Sequence, residues 1–237
     1  ITNIDENGNQ IDGLGYYRYR AIEFLIKDED KKIYGNVESI SKRLSAIMKT
    51  LLVKRLESSF FAFTQSLNRF QKAIDNMIKM FDNDRVFIAP DLDINKLMEE
   101  EASFDDIEKK INEKGGNNKE FKKNAFNKKF IDLLYEDKEK VDDLLKRWKK
   151  VKKDPKLIEF ALNIKEEFFK EDKNVNGKLV IFSESKETAE ELTKKLETIT
   201  KKKILTVSSE NRKTLDYIIR ENFDANLDLS EWKNDYD

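Results

Sequence analysis

From Ser39 to Phe81 the chain runs without a glycine or a proline, and its apolar residues recur at helical spacing throughout. Ile40, Leu44, Ile47, Leu51 and Leu52 mark one face. Leu56, Phe60, Phe63, Leu67 and Phe70 continue it, and Ile74, Met77, Ile78 and Phe81 close it. This period predicts amphipathic helix. A helix this long draws its stability from packing its apolar face, so the stretch commits the chain to an array of helices. Ser58-Ser59 is the expected point of a kink or break. Only 7 Gly and 2 Pro occur in 237 residues, which leaves few turns and favours long helices elsewhere too.

Charged residues make up 39% of the chain and hydrophobic residues 38%, less apolar and more charged than an average globular chain. The net charge of -1 does not by itself announce a nucleic-acid partner. The charge is patchy, however: Lys146–Lys153 is strongly basic and Met98–Ala102 is acidic. With no Cys there are no disulfides and no thiol chemistry. With no His, a Ser-His-Asp triad, a His-based metal site and a His proton shuttle are excluded together. No run approaches the roughly 18 apolar residues that span a bilayer, and no secretory leader is visible, so the expectation is a cytoplasmic protein.

Three regions are expected. Residues 1–36 are irregular and linking: Asn3–Gly15 is polar with an Asn7-Gly8 turn, and Tyr16-Tyr17-Arg18-Tyr19-Arg20 runs into a short helix over Ala21–Ile26. Interleaved Tyr and Arg can stack on bases and pair with phosphates. The competing reading is a helix start that covers the edge of the core. Residues 37–153 form a helical protrusion. Arg85–Pro90 is a short extended piece within it, and Asp91–Tyr135, interrupted at Gly115-Gly116, reads as a charged insertion outside the main fold. Residues 154–237 begin at Asp154-Pro155, where proline suits the first helical turn.

The last region is α/β in pattern. Leu179-Val180-Ile181-Phe182 predicts a strand buried on both faces, and Ser185 is placed to cap the helix after it. Ala189, Leu192, Leu196 and Ile199 give that helix its apolar face, and Ile204-Leu205-Thr206-Val207 predicts a second strand. A βαβ unit takes parallel strands and a right-handed crossover. Ser208–Asn211 leads into a further helix with Leu215, Ile218, Ile219 and Phe223 on one face, ended at Asp224-Ala225-Asn226. Ser230–Lys233 predicts one more helical turn. A βαβα unit that stops there has an open sheet edge, so the expectation is a domain cut at its C-terminus, and at Ile1 as well. The expected fold class is therefore α/β with an extensive α-helical portion, a truncated parallel βαβα sheet attached to long helices.

Asp154-Pro155-Lys156-Leu157, a helix, a polar gap and then Lys178–Ser183 resemble the entry into the second RecA-like lobe of superfamily-two helicases, closest to the Swi/Snf-related branch. The strand and turn there correspond to motif IV. Ser208–Arg212 and Asn222–Asn226 resemble the block that follows it. Met48–Ser59 is similar to a segment that lies between the two lobes in a bacterial subgroup, and it is the more specific of these signals. The resemblance implies a RecA-like sheet and an ATP-dependent DNA helicase or translocase as the parent, with ATP and Mg as its cofactors. It also implies a missing N-terminal RecA-like lobe as a partner. The departures are as informative. No Gly-x-x-x-x-Gly-Lys-Ser/Thr string occurs, and no acidic metal-holding motif ends a strand. Motifs V and VI are expected beyond Asp237. Catalytic residues and bound cofactors are therefore expected to be none in this piece, which is expected to be inactive alone.

The expected function is a contribution to the nucleic-acid-tracking lobe. By the resemblance, Ser183, Ser185 and Lys186 lie where a nucleic-acid backbone passes, and Ser208, Ser209 and Arg212 form a second set. Hydroxyls, Lys and helix N-terminal amides are good phosphate donors. Lys149 and Lys150, in the basic run, are candidates for tracking phosphates, against a merely solvated helix face. Lys54 and Arg55 either grip DNA or lie over the core. The alternative function is a helical protein-interaction module with a small α/β cap and no nucleic-acid role.

Overall fold

The computed structural model describes residues 3–4, 10–11, 13–35, 37–100, 102–183, 186–224, 226–227, 231–233 and 235–236. The chain forms two compact units, Ile1–Lys54 with Thr64–Lys150, and Arg55–Phe63 with Val151–Asp237. Most described residues are helical.

In the first unit β1 (Asn3–Ile4) pairs antiparallel with β2 (Gln10–Ile11). A 3-10 helix follows over Tyr17–Phe24, then the short α1 (Asp28–Lys32). The long apolar-periodic stretch becomes α2 (Val37–Ser58) and α3 (Phe60–Asp82), with the break at Ser59 between them; the turns on either side of the break, Arg55–Phe63, belong to the second unit. Ser59 helps start the new helix, because its hydroxyl accepts the Ala62 amide at 3.0 Å. The chain then passes through β3 (Val86–Ile88), α4 (Ile94–Glu99), α5 (Phe104–Lys114) and β4 (Lys119–Phe121), and ends this unit on α6 (Lys129–Trp148).

Within this unit α3 and α6 run antiparallel. Trp148 donates its indole N–H to Thr64 at 2.9 Å, Gln71 bonds Asp142, Lys138 pairs with Asp75, and the Phe81 and Phe130 rings meet at 5.4 Å. The apolar seam between them holds Leu67, Ile74, Met77, Phe130 and Leu134, all fully buried.

Residues 91–135 do not lie outside the fold. Ile107, Ile111, Phe126 and Phe130 belong to the core, at 0–3% exposure. β4 pairs antiparallel with β3, with Phe87 opposite Glu120. The apolar residues of this segment are scattered among charged ones, but those four are turned inward. Ser103 and Asp106 form a capping box that starts α5, and Gly115 ends it at a φ of +62°.

The second unit contains α7 (Pro155–Asn163), which continues as a π turn over Ile164–Phe168, then α8 (Lys186–Thr200) and α9 (Arg212–Phe223). Ala161, Ile164 and Leu196 are its buried centre, with Phe160, Phe169, Leu179, Leu192 and Ile204 packed around them.

The expected parallel sheet is not formed among the described residues. Residues 178–182 and 204–207 carry no ladder, and both sheets in the described residues are two-stranded and antiparallel. Nor is the first run buried on both faces, since Val180, Ile181 and Phe182 are 62%, 41% and 92% exposed. Leu179 and Ile204 each pack onto the helical cluster, but among the described residues neither run joins a sheet. The expected capping by Ser185 lies outside the described residues, as does Ser230. Glu231 takes a 3-10 conformation, and the Trp232 indole N–H donates to the Asp224 carbonyl at 2.9 Å. Among the described residues no helix is long and apolar enough to cross a membrane.

Candidate nucleic-acid interface

The second unit brings the starts of two helices to one edge. Lys186, the first residue of α8, places its Nζ 2.5 Å from Glu210 Oε2, in the turn that precedes α9, and 3.8 Å from Glu190 Oε1. Asn211 shapes that turn. Its Oδ1 accepts the Ser208 amide at 2.7 Å, while its Nδ2 donates to the Thr206 carbonyl at 3.1 Å. The Ser208 hydroxyl in turn accepts the Glu210 amide at 3.3 Å. Lys186, Ser208, Ser209 and Arg212 therefore share a neighbourhood with two helix N-termini, whose first amides favour anions. Ser209 and Arg212 are exposed and Ser208 is half-buried. Glu210 and Glu190 offset the charge of Lys186, so the edge is polar more than strongly positive.

The remaining predicted residues are placed as follows. Ser183 is exposed at the end of the apolar run, and Ser185 lies outside the described residues. Arg55 is half-buried near the end of α2, in the segment that belongs to the second unit. Lys54 is exposed and belongs to the first unit, as do Lys149 and Lys150. Those two lysines sit exposed just past the end of α6, where positive charge complements the helix dipole. The neighbouring Arg147 pairs with Asp143 at 2.9 Å.

Two features of the second unit were not anticipated. Asp154 caps two helices at once: Oδ1 accepts the Leu157 amide at 3.2 Å and Oδ2 the Phe60 amide at 2.9 Å. Nearby, the Thr188 hydroxyl lies 3.3 Å from those of both Ser58 and Ser59, which ties the start of α8 to the helix break. The sequence signals were present, as a serine pair and a threonine in a first turn, but nothing local joins them.

In the first unit the Tyr-Arg string covers the core edge. Tyr16 and Tyr19 stack on Phe70 at 5.5 and 5.9 Å, and Arg20 is held by Glu23 at 2.7 Å. Among the described residues no group of three or more acidic side chains is arranged to hold a metal ion. No family model, curated protein or solved structure matches the chain.

Proposed function

We propose that this chain is part of an ATP-dependent DNA helicase or translocase, where it supplies a weak, sequence-independent grip on the nucleic-acid backbone. ATP and Mg belong, on this reading, to the longer protein, and a RecA-like lobe is completed by strands beyond those described. The observation that carries the reading is the convergence of the α8 and α9 starts, marked by the Lys186–Glu210 pair. Two turns that the helicase resemblance assigns to the nucleic-acid track, far apart in sequence, lie against each other.

The test is fluorescence anisotropy with labelled single- and double-stranded oligonucleotides over a salt series. A few phosphate contacts give a log–log slope of about -2 to -4, with Kd no tighter than roughly 10⁻⁶ M. Lys186→Glu weakens binding. Glu210→Gln strengthens it, because the substitution releases Lys186 from a competing carboxylate. Lys149→Glu with Lys150→Glu reports separately on the first unit. If none of these changes alters binding in low salt, the DNA role is wrong.

The second reading, a helical protein-interaction module, has its own support. Leu44, Ile47 and Leu51, successive on one face of α2, are 39%, 52% and 45% exposed. Under that reading, charged substitutions on this face abolish association with a partner protein, while Lys186→Glu has no effect.

A further inference from the structure

We propose that α2 docks an acidic, heptad-patterned helix of a second protein, which rests on the interaction reading of this face and is independent of the α8–α9 edge. Of the α2 side chains described, only Leu52 is buried. A helix of 22 residues that packs so little of itself forgoes the burial from which helices in proteins draw most of their stability. Leu44, Ile47 and Leu51 lie in the first unit, follow one another at intervals of three and four residues, and are all exposed. That is the a-d-a spacing of a coiled-coil seam, and in sequence Val37 and Ile40 carry the same register back through another heptad. A second helix laid along the seam buries these side chains as knobs in its own holes.

The charge on the helix selects the occupant. α2 carries Lys42, Arg43, Lys49, Lys54 and Arg55 against Glu38 and Glu57, five positive charges against two, a net of +3 in a chain of net -1. Arg43 stands four residues before Ile47 and Lys54 three after Leu51, so both border the stripe. Both are exposed, and neither is ion-paired among the described residues. Two copies of α2 side by side bring net positive charge together, whereas a helix with Glu or Asp beside its own apolar seam supplies counter-charge to both cations. A nucleic-acid backbone pairs with the cations but leaves Leu44, Ile47 and Leu51 in water. An anionic membrane fits less well too. Val53, also exposed, stands nine residues from Leu44 and so on the opposite side of the helix, and α2 has no aromatic residue to sit at a headgroup boundary.

The experiment titrates the full chain into two labelled peptides of about four heptads, each with Ile at a and Leu at d, one with Glu and the other with Lys at every e and g position. Like charges keep each peptide from pairing with itself. The Glu peptide binds and gains helix by circular dichroism, and the Lys peptide binds at least about tenfold more weakly. Ile47→Gln weakens the Glu peptide by roughly tenfold. Arg43→Glu with Lys54→Glu exchanges the preference, so that the Lys peptide becomes the tighter ligand. All three substitutions replace exposed side chains and leave the unbound fold unchanged. Equal binding of the two peptides overturns the acidic partner and keeps α2 as an interaction face. So does failure of both peptides together with a dimer, seen by sedimentation, that Ile47→Gln dissociates, because the occupant is then a second copy. Binding to vesicles of anionic lipid with neither peptide bound reassigns α2 to a membrane surface. A monomer that binds neither peptide nor vesicles overturns both the partner and the interaction reading on which it rests.

Discussion

Asp137 is wholly buried, at 0% exposure, and its two oxygens accept backbone amides from residues more than a hundred positions away. It is the clamp that holds the Tyr-Arg segment to α6. Asp137→Ala leaves two amides without acceptors, and at about 1–3 kcal/mol for each unsatisfied group the loss is roughly 2–6 kcal/mol of stability, measured by urea unfolding. Burial raises the Asp137 pKa, and the amides of Tyr17, Gly15 and Tyr16 only partly counter this. A raised folded pKa means that ionisation opposes folding. The contribution of this group is whole below the ordinary aspartate value near 3.9 and is lost as pH rises through the raised one. The stability difference between wild type and Asp137→Asn therefore shrinks as pH rises through that range; a difference independent of pH would refute the assignment. Asp154 shows which part of such a residue is legible in sequence. Asp-Pro before an apolar-periodic run announces a helix start, and the Leu157 cap follows from it. The second cap, on Phe60 at a separation of 94 residues, is a tertiary event with no local signature.

At the scale of elements, the periodicity of α3 was legible because packing against α6 needs a continuous apolar face and nothing in the sequence interrupts it. The break at Ser59 was legible for the complementary reason, since two adjacent serines compete locally for backbone hydrogen bonds. The segment from Asp91 to Tyr135 was misread because charge dominates its composition, although core membership is decided by a few side chains. Phe130 is one of these. It is fully buried and stacks with Phe24 at 4.8 Å and Phe126 at 5.7 Å. Phe130→Ala costs about 3–5 kcal/mol, and loss of near-ultraviolet circular dichroism at lower urea concentration is the check. The run Leu179–Phe182 failed in the opposite sense. Its composition says strand, but burial of a strand is a property of its neighbours, and Phe182 remains 92% exposed.

For the whole molecule, a net charge of -1 conceals a division of labour among its charges. Pairs such as Lys186–Glu210 and Arg147–Asp143 set opposite charges against each other, and the near-zero net charge leaves little long-range attraction for a polyanion. On the proposed reading, affinity for nucleic acid comes from short-range donors, which is why the expected salt slope is shallow. The same reasoning bears on nucleotide. Tight binding of a triphosphate needs a loop of consecutive backbone amides and a lysine on its β- and γ-phosphates, and no such string occurs in the sequence. Two helix starts and an offset lysine supply far less. The 237-residue chain is therefore expected to bind ATP more weakly than micromolar, by calorimetry, and to show no DNA-stimulated release of phosphate. Steady hydrolysis that rises with added DNA would mean that residues 1–237 hold their own catalytic centre, and the assignment of ATP chemistry to a longer protein would have to be given up.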